Sequence, residues 1–275
     1  MESHSTWFLP REHGATAMLL TPIVCAAILA REWRWTELAT LIAAIAALAA
    51  KDPAVVLARQ RFVWKQRRPE TEAAVRWFAG WLVVLALSGV VLAVAWPIPA
   101  TVVLGIGVAF FSVLTVAVNV KNRQRSTAFQ IVSAAALTSS SLAISLSATG
   151  AVERWCWWLW LLLAMQATAG ILIVHARLDA KIAAKTASRS TAHTGADYRR
   201  AAQVALVLLA CGAIAAAVLG HWWIAVALLL AAAGYWYDLR AQQDRAALQL
   251  PLKSVGQRAL ALSSLYAILL IVGLW

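Results

Sequence analysis

Polar and charged residues in this chain fall in short clusters between long, uninterrupted apolar runs, at roughly 14–30, 35–50, 73–96, 98–118, 129–149, 155–176, 201–219, 222–237 and 259–274. Each run is too long for a strand, and none shows the every-second-residue alternation of an outer-membrane barrel. A bilayer crossing takes about 20 mostly apolar residues. The pattern therefore predicts an all-α membrane protein, a bundle of about nine transmembrane helices forming a single integral membrane domain over residues 1–275. The second and eighth runs are the shortest.

Composition agrees with that pattern. Of the 275 residues 62% are hydrophobic and 13% charged, about half the roughly 25% charged content of soluble domains. A water-soluble globule is excluded. Lys and Arg number 24 against 12 Asp and Glu. All but three of the basic residues lie in the N-terminal segment or the four even-to-odd connections; the exceptions are Arg31, Arg34 and Arg154. By the positive-inside rule this places the N-terminus in the cytoplasm and the C-terminus outside, in a multi-pass protein of the cytoplasmic (inner) membrane. The net charge of +12 then reads as topology, and no nucleic acid is expected as a partner. Trp33, Trp35, Trp96, Trp155, Trp157, Trp158, Trp160, Trp222, Trp223 and Trp275 all fall on the outer side, as an interfacial aromatic belt requires. The outer connections are short, with Pro97 and Pro99 in one and Gly220 in another, so chemistry is expected to face the cytoplasm. The N-terminus is a poor match to a cleaved signal peptide, and the first span is expected to be retained. Cys25, Cys156 and Cys211 lack metal-site or redox spacing and read as small buried residues.

Four places carry candidate chemistry. Pro10-Arg11-Glu12-His13-Gly14 puts Glu12 and His13 at the cytoplasmic mouth of the first helix; the plainer alternative is an ordinary helix start with a carboxylate favoured by the dipole. His175 and Asp179 lie four apart near the end of the sixth helix, flanked by Arg177 and Lys181, and share a face that can take a proton or a cation. The plainer alternative there is a C-terminal His with an exposed Asp. Residues 52–68 interleave Val55, Val56, Leu57, Phe62, Val63 and Trp64 with Arg59, Arg61, Lys65, Arg67 and Arg68, the pattern of an interfacial or re-entrant segment against anionic headgroups. Arg59 and Arg61, with Lys121 and Arg123 of the next basic turn, are the candidate phosphate or headgroup ligands. The bland alternative for them is a topology anchor. Ser133, Ser140 and Ser147 recur every seven residues on the fifth helix as a packing stripe, with Gln166 and Thr168 as candidate partners. Asn119 and Asn122 read as caps or contacts. Glu12, His13, Asp52, His175 and Asp179 are expected to converge on one cytoplasm-facing cavity. No His-Glu-x-x-His run or close cysteine pair is present.

The opening Pro10-Arg11-Glu12-His13-Gly14, followed by Met18-Leu19-Leu20 and Pro22, resembles the YwiC-like family of bacterial membrane proteins. The likeness continues through the 119–125 basic turn and Leu252-Lys253-Ser254-Val255-Gly256, and it implies a multi-pass membrane protein without specifying a reaction. More distantly, helix number and orientation resemble the UbiA superfamily of intramembrane prenyltransferases, which hold magnesium with Asp-rich motifs after the second and sixth helices. That resemblance makes Asp52 and Asp179 the candidate metal ligands here, although the full motifs are lacking: no further acids follow Asp52, and histidine stands four residues before Asp179. It implies binding or processing of a lipid or isoprenoid, with Glu12, His13, His175 and Asp179 as catalytic groups. The expected partners are the lipid bilayer, anionic lipid headgroups and an isoprenoid or quinone-like ligand; the cofactor is unknown. A small-molecule transporter or a non-catalytic membrane scaffold are the alternatives, although no internal repeat of the kind common in transporters is found.

Overall fold

The structure, a computed structural model, describes residues 13–96, 98–123, 126–186, 195–244, 248 and 252–275. Pro10, Arg11, Glu12, Pro97, Arg125, Arg189 and Arg245 lie outside the described residues. Among the described residues ten α-helices follow the apolar runs: α1 (His13–Ala30), α2 (Trp35–Arg59), α3 (Thr71–Ala95), α4 (Ile98–Val120), α5 (Thr127–Thr138), α6 (Ser140–Thr149), α7 (Arg154–Thr186), α8 (Gly195–Val218), α9 (Trp222–Ala241) and α10 (Leu252–Leu274). Taken as one stretch, α5 and α6 form a 23-residue apolar span; with it, eight spans among the described residues are long and apolar enough to cross a membrane, and α1 is a shorter apolar helix. The chain is a multi-pass membrane protein.

Several helices outrun their apolar cores. The helix begun at Trp35 runs through a π-turn at Gln60–Trp64, giving 30 residues or about 45 Å, against a hydrocarbon core of about 30 Å. Residues 52–64 are thus not a separate interfacial or re-entrant segment, as the sequence pattern suggested, but the continuing end of α2. Pro53 removes one backbone bond, and the following Ala54, Leu57, Ala58, Arg59 and Gln60 are good helix formers that carry the helix on. The end comes at Lys65, which adopts left-handed φ of 52°. Similarly, α7 continues to Thr186, so His175 and Asp179 sit inside a helix rather than at its C-terminus. The favourable dipole contact expected of a C-terminal histidine does not apply.

The described chain divides into two compact units: residues 1–129 with 140–153, and residues 130–139 with 154–275. In the first, α2 is central and packs along α3, with α4, α6 and α1 also against it. Ala26, Ala46, Ala74, Ser141 and Ala148 are fully buried there, and such small residues let backbones approach. Thr36 Oγ1 donates to the Ser147 carbonyl at 2.7 Å and Ser140 Oγ to the Leu19 carbonyl at 3.0 Å. In the second unit α7 is the central column, contacting α8, α9 and α10. Trp160 Nε1 ties it to α5 by donating to the Ala135 carbonyl at 2.9 Å.

The break between α5 and α6 falls at the boundary of the units. Thr138 Oγ1 donates to the carbonyls of Ala134 and Ala135, and Ser139 Oγ to that of Ala136. Consecutive hydroxyls folding back on the preceding turn compete with the helical ladder and bend it. The seven-residue serine stripe is accordingly divided, with Ser133 in one unit and Ser140 and Ser147 in the other.

Candidate functional site

In the first unit the basic residues after α2 are organised by the helix end itself. Arg59 is half-buried and its Nη2 donates to the Asn119 carbonyl at 2.9 Å and to Asn122 Oδ1 at 3.1 Å. Asn122 is left-handed, with φ 52°, and the Arg123 amide reaches back to the Val118 carbonyl at 3.0 Å. This is a helix C-terminus closed by an αL residue, with a guanidinium from a neighbouring helix on its exposed carbonyls. Asn119 and Asn122 are thus both cap and contact. Of the four expected headgroup ligands, Arg59 is engaged in this tie, while Arg61, Lys121 and Arg123 are exposed. Beyond the π-turn, the Arg68 guanidinium stacks 3.9 Å over Trp64, and Thr71 Oγ1 donates within 2.6 Å of Gln60 Oε1 and of the Arg68 carbonyl. The turn between α2 and α3 is held by these contacts.

In the second unit, α7, α8, α9 and α10 gather ionisable groups. The His175 Nδ1 lies 2.9 Å from the Ile171 carbonyl. A carbonyl can only accept, so Nδ1 is the donor in this contact. Its ring stacks on Tyr198 of α8, centroids 5.0 Å apart at 26°. Two residues on, Arg177 is only 4% exposed. A charge buried to that degree costs several kcal/mol in lost hydration, of order, unless other groups compensate it. Asp238 of α9 supplies an opposite charge and feels both Arg177 and Arg258 of α10. Gln242 Nε2, just past α9, donates to the Ile173 carbonyl at 3.2 Å and fastens the end of α9 to the body of α7.

Deeper in the same unit lies a buried side-chain network. Gln166 Nε2 donates to Tyr235 Oη at 2.6 Å and to Ser263 Oγ at 2.8 Å, joining α7, α9 and α10. Tyr266 Oη donates to the Leu162 carbonyl at 2.9 Å. The partners foreseen for Gln166 on the serine stripe are therefore replaced by Tyr235 and Ser263. Gly170 is required beside this network, because a Cβ there would come within 2.9 Å of Tyr235 Oη.

Two residues that sequence reasoning passed over are prominent. Asp238 lies one residue beyond the eighth apolar run; the signal was an acid one helical turn from Tyr235 in a helix that continues to Ala241. Glu37, an acid two residues into the second apolar run, is 5% exposed. It stands three residues after the N-cap Arg34, whose backbone N–H acts on its carboxylate, the position of a capping-box glutamate, although the contact falls short of full hydrogen-bond geometry. Cys25 and Cys156 are buried as expected, but Cys211 is exposed on α8, facing outward where lipid replaces protein contacts.

Of the expected catalytic set, Glu12 falls outside the described residues and only the helical position of His13 is described. His175 and Asp179 stand on one face of α7 in the second unit. Asp52, with Lys51 Nζ 3.8 Å from its Oδ1, belongs to the first unit. Among the described residues, no three His, Cys, Asp or Glu side chains gather where they could hold a metal ion. The sequence model of the YwiC-like protein family matches residues 9–145, about half of the chain. No curated protein and no solved structure matches.

Proposed function

As a member of the YwiC-like family over residues 9–145, the chain is a multi-pass membrane protein, and we propose that it resides in the cytoplasmic membrane and binds a lipid or isoprenoid whose charged head enters the cytoplasmic end of the second unit. The observation that carries this reading is the buried Arg177, set with Asp238 and Arg258 on a helix that also carries the His175–Tyr198 stack. Ionisable groups at membrane depth are costly and mark ligand or proton paths more often than packing. Arg177 supplies a fixed positive charge for a phosphate or an enolised quinone oxygen. In its neutral form His175 offers Nε2 as acceptor, and Asp179, one turn from it, completes an acid–imidazole pair on the same face. In the first unit, exposed Arg61, Lys121 and Arg123 serve as contacts for anionic headgroups, each worth about 1 kcal/mol near a charged leaflet. The orientation, N-terminus inside and C-terminus outside, rests on the asymmetry of basic residues; a cytoplasmic signal from a reporter fused after Trp275 overturns it.

The test of the binding reading is identification of amphiphiles co-extracted with the protein by mass spectrometry. Wild-type protein is expected to retain one class of lipid or isoprenoid, and Arg177→Gln and His175→Ala are expected to lose it while membrane abundance stays the same. Retention of nothing beyond bulk phospholipid, or equal retention by wild type and both variants, refutes it.

A further inference from the structure

Between α8 and α9, Arg199, Gln203, Trp236, Leu239, Arg240 and Gln243 line a pocket of about 250 Å³. We propose that this pocket binds the phosphate of an anionic phospholipid, with the acyl chains lying along the outer faces of the same two helices. No carboxylate lines it, and five of its six side chains carry hydrogen-bond donors, two of them guanidiniums that can grip phosphate oxygens bidentately. Arg240 is placed by its own helix, with its guanidinium 4.8 Å from the centroid of the Trp236 ring. A cation resting on an indole keeps its N–H edges available. The C-terminal end of α9 opposes an anion with about half a unit charge, against two full positive charges in the pocket. The volume is below the roughly 300–1,000 Å³ of pockets that enclose a whole small molecule, so the pocket holds a headgroup and nothing larger.

The surroundings select a lipid over a free phosphate. On α8 the row Arg199, Gln203 continues at the next turn into Val207, 60% exposed, and beyond it Ile214, 64% exposed. On α9 the row Arg240, Trp236 continues into Leu229, 52% exposed. Both rows pass from cationic to apolar along the helix, the polarity of a phospholipid laid head to tail. Exposed Val and Leu in a membrane-spanning helix face acyl chains.

Native mass spectrometry of the detergent-solubilised full chain tests this with phosphatidic acid, phosphatidylcholine and inorganic phosphate as probes. Wild type is expected to retain phosphatidic acid over phosphatidylcholine, and R199Q/R240Q to bind it about a hundredfold more weakly, the loss of two charge-assisted contacts. R199K/R240K keeps the charge but loses the fork and is expected to fall between them. R31Q/R154Q removes two charges from the opposite helix ends and is expected to bind as wild type. Equal loss in R31Q/R154Q and R199Q/R240Q, or no preference for phosphatidic acid, overturns the site. Displacement of the lipid by inorganic phosphate at equal concentration overturns the lipid as its source. These residues are separate from Arg177 and His175, so failure here with loss of the co-extracted amphiphile in Arg177→Gln, or the reverse, distinguishes the two proposals.

Discussion

In the first unit the buried hydrogen bonds between helices run from small hydroxyls to backbone carbonyls, Thr36 to Ser147 and Ser140 to Leu19, with the Arg59 tie at the end of α4 only part-buried. In the second, large side chains reach the carbonyls, Trp160, Tyr266 and Gln242 among them, and a buried side-chain network is added, from Gln166 to Tyr235 and Ser263. The central helices differ in the same sense. The apolar stretch of α7 is more than half fully buried, whereas that of α2 is mostly half-buried and that of α4 has no fully buried residue among those described. A hydroxyl on a carbonyl closes two backbones that already touch, and many such contacts share the load. One glutamine that joins three helices concentrates it. The family match at residues 9–145 falls mainly on the first unit, while the buried arginine and the side-chain network lie in the second. The residues that mark the family and those that carry the buried polar chemistry are therefore largely different.

Two buried thiols allow each unit to be read separately, Cys25 in α1 and Cys156 in α7. In single-cysteine proteins, the rate of thiol labelling reports how often its own unit opens. The largest effect is expected from Gly170→Ala, whose Cβ would meet a buried, hydrogen-bonded tyrosine hydroxyl at 2.9 Å. Overpacking of this kind costs about 1–3 kcal/mol, and labelling of Cys156 should accelerate while that of Cys25 does not. If both thiols become reactive together, the units open as one and the contrast fails.

Gln166→Leu comes next. It leaves the Tyr235 and Ser263 hydroxyls without their shared donor, at about 1–2 kcal/mol for an intramembrane polar contact, again sensed at Cys156. A labelling rate unchanged from wild type would mean that the network contributes no stability and that shape alone holds α7, α9 and α10 together.

Ser140→Ala is expected to have the smallest effect, about 0.6 kcal/mol, the mean for a single interhelical bond in a membrane protein. It should speed labelling of Cys25 slightly and leave Cys156 alone. An effect on Cys25 as large as that of Gly170→Ala on Cys156 would show that the first unit depends on a single contact after all.

Helix number and type were legible because apolar length is a direct record of bilayer thickness: among the described residues eight of the nine runs form spans and the first a shorter apolar helix. Helix ends were not. Apolarity marks where lipid begins, but α2 and α7 continue through Arg59 and Lys181 because good helix formers need no hydrocarbon around them. That one error left Asp238 one residue beyond its run and set His175 at a helix end. The break at Ser139 could have been read from Thr138-Ser139-Ser140-Ser141, since adjacent hydroxyls compete with the ladder, yet a seven-residue spacing suggested one continuous stripe.

The sequence by itself determined the class of molecule, the run of spans along the chain and the side on which basic residues accumulate. These follow from composition summed over tens of residues, which no single contact can alter. Only the tertiary structure decided which polar groups meet: that Arg59 closes the end of α4, that Gln166 finds Tyr235 and Ser263, and that Arg199 and Arg240 line one pocket. Such pairings depend on the rotation of each helix about its axis and on which helices are neighbours. Both are set by packing between segments far apart in the chain, where an apolar run of nearly uniform hydropathy leaves no mark of which face turns inward.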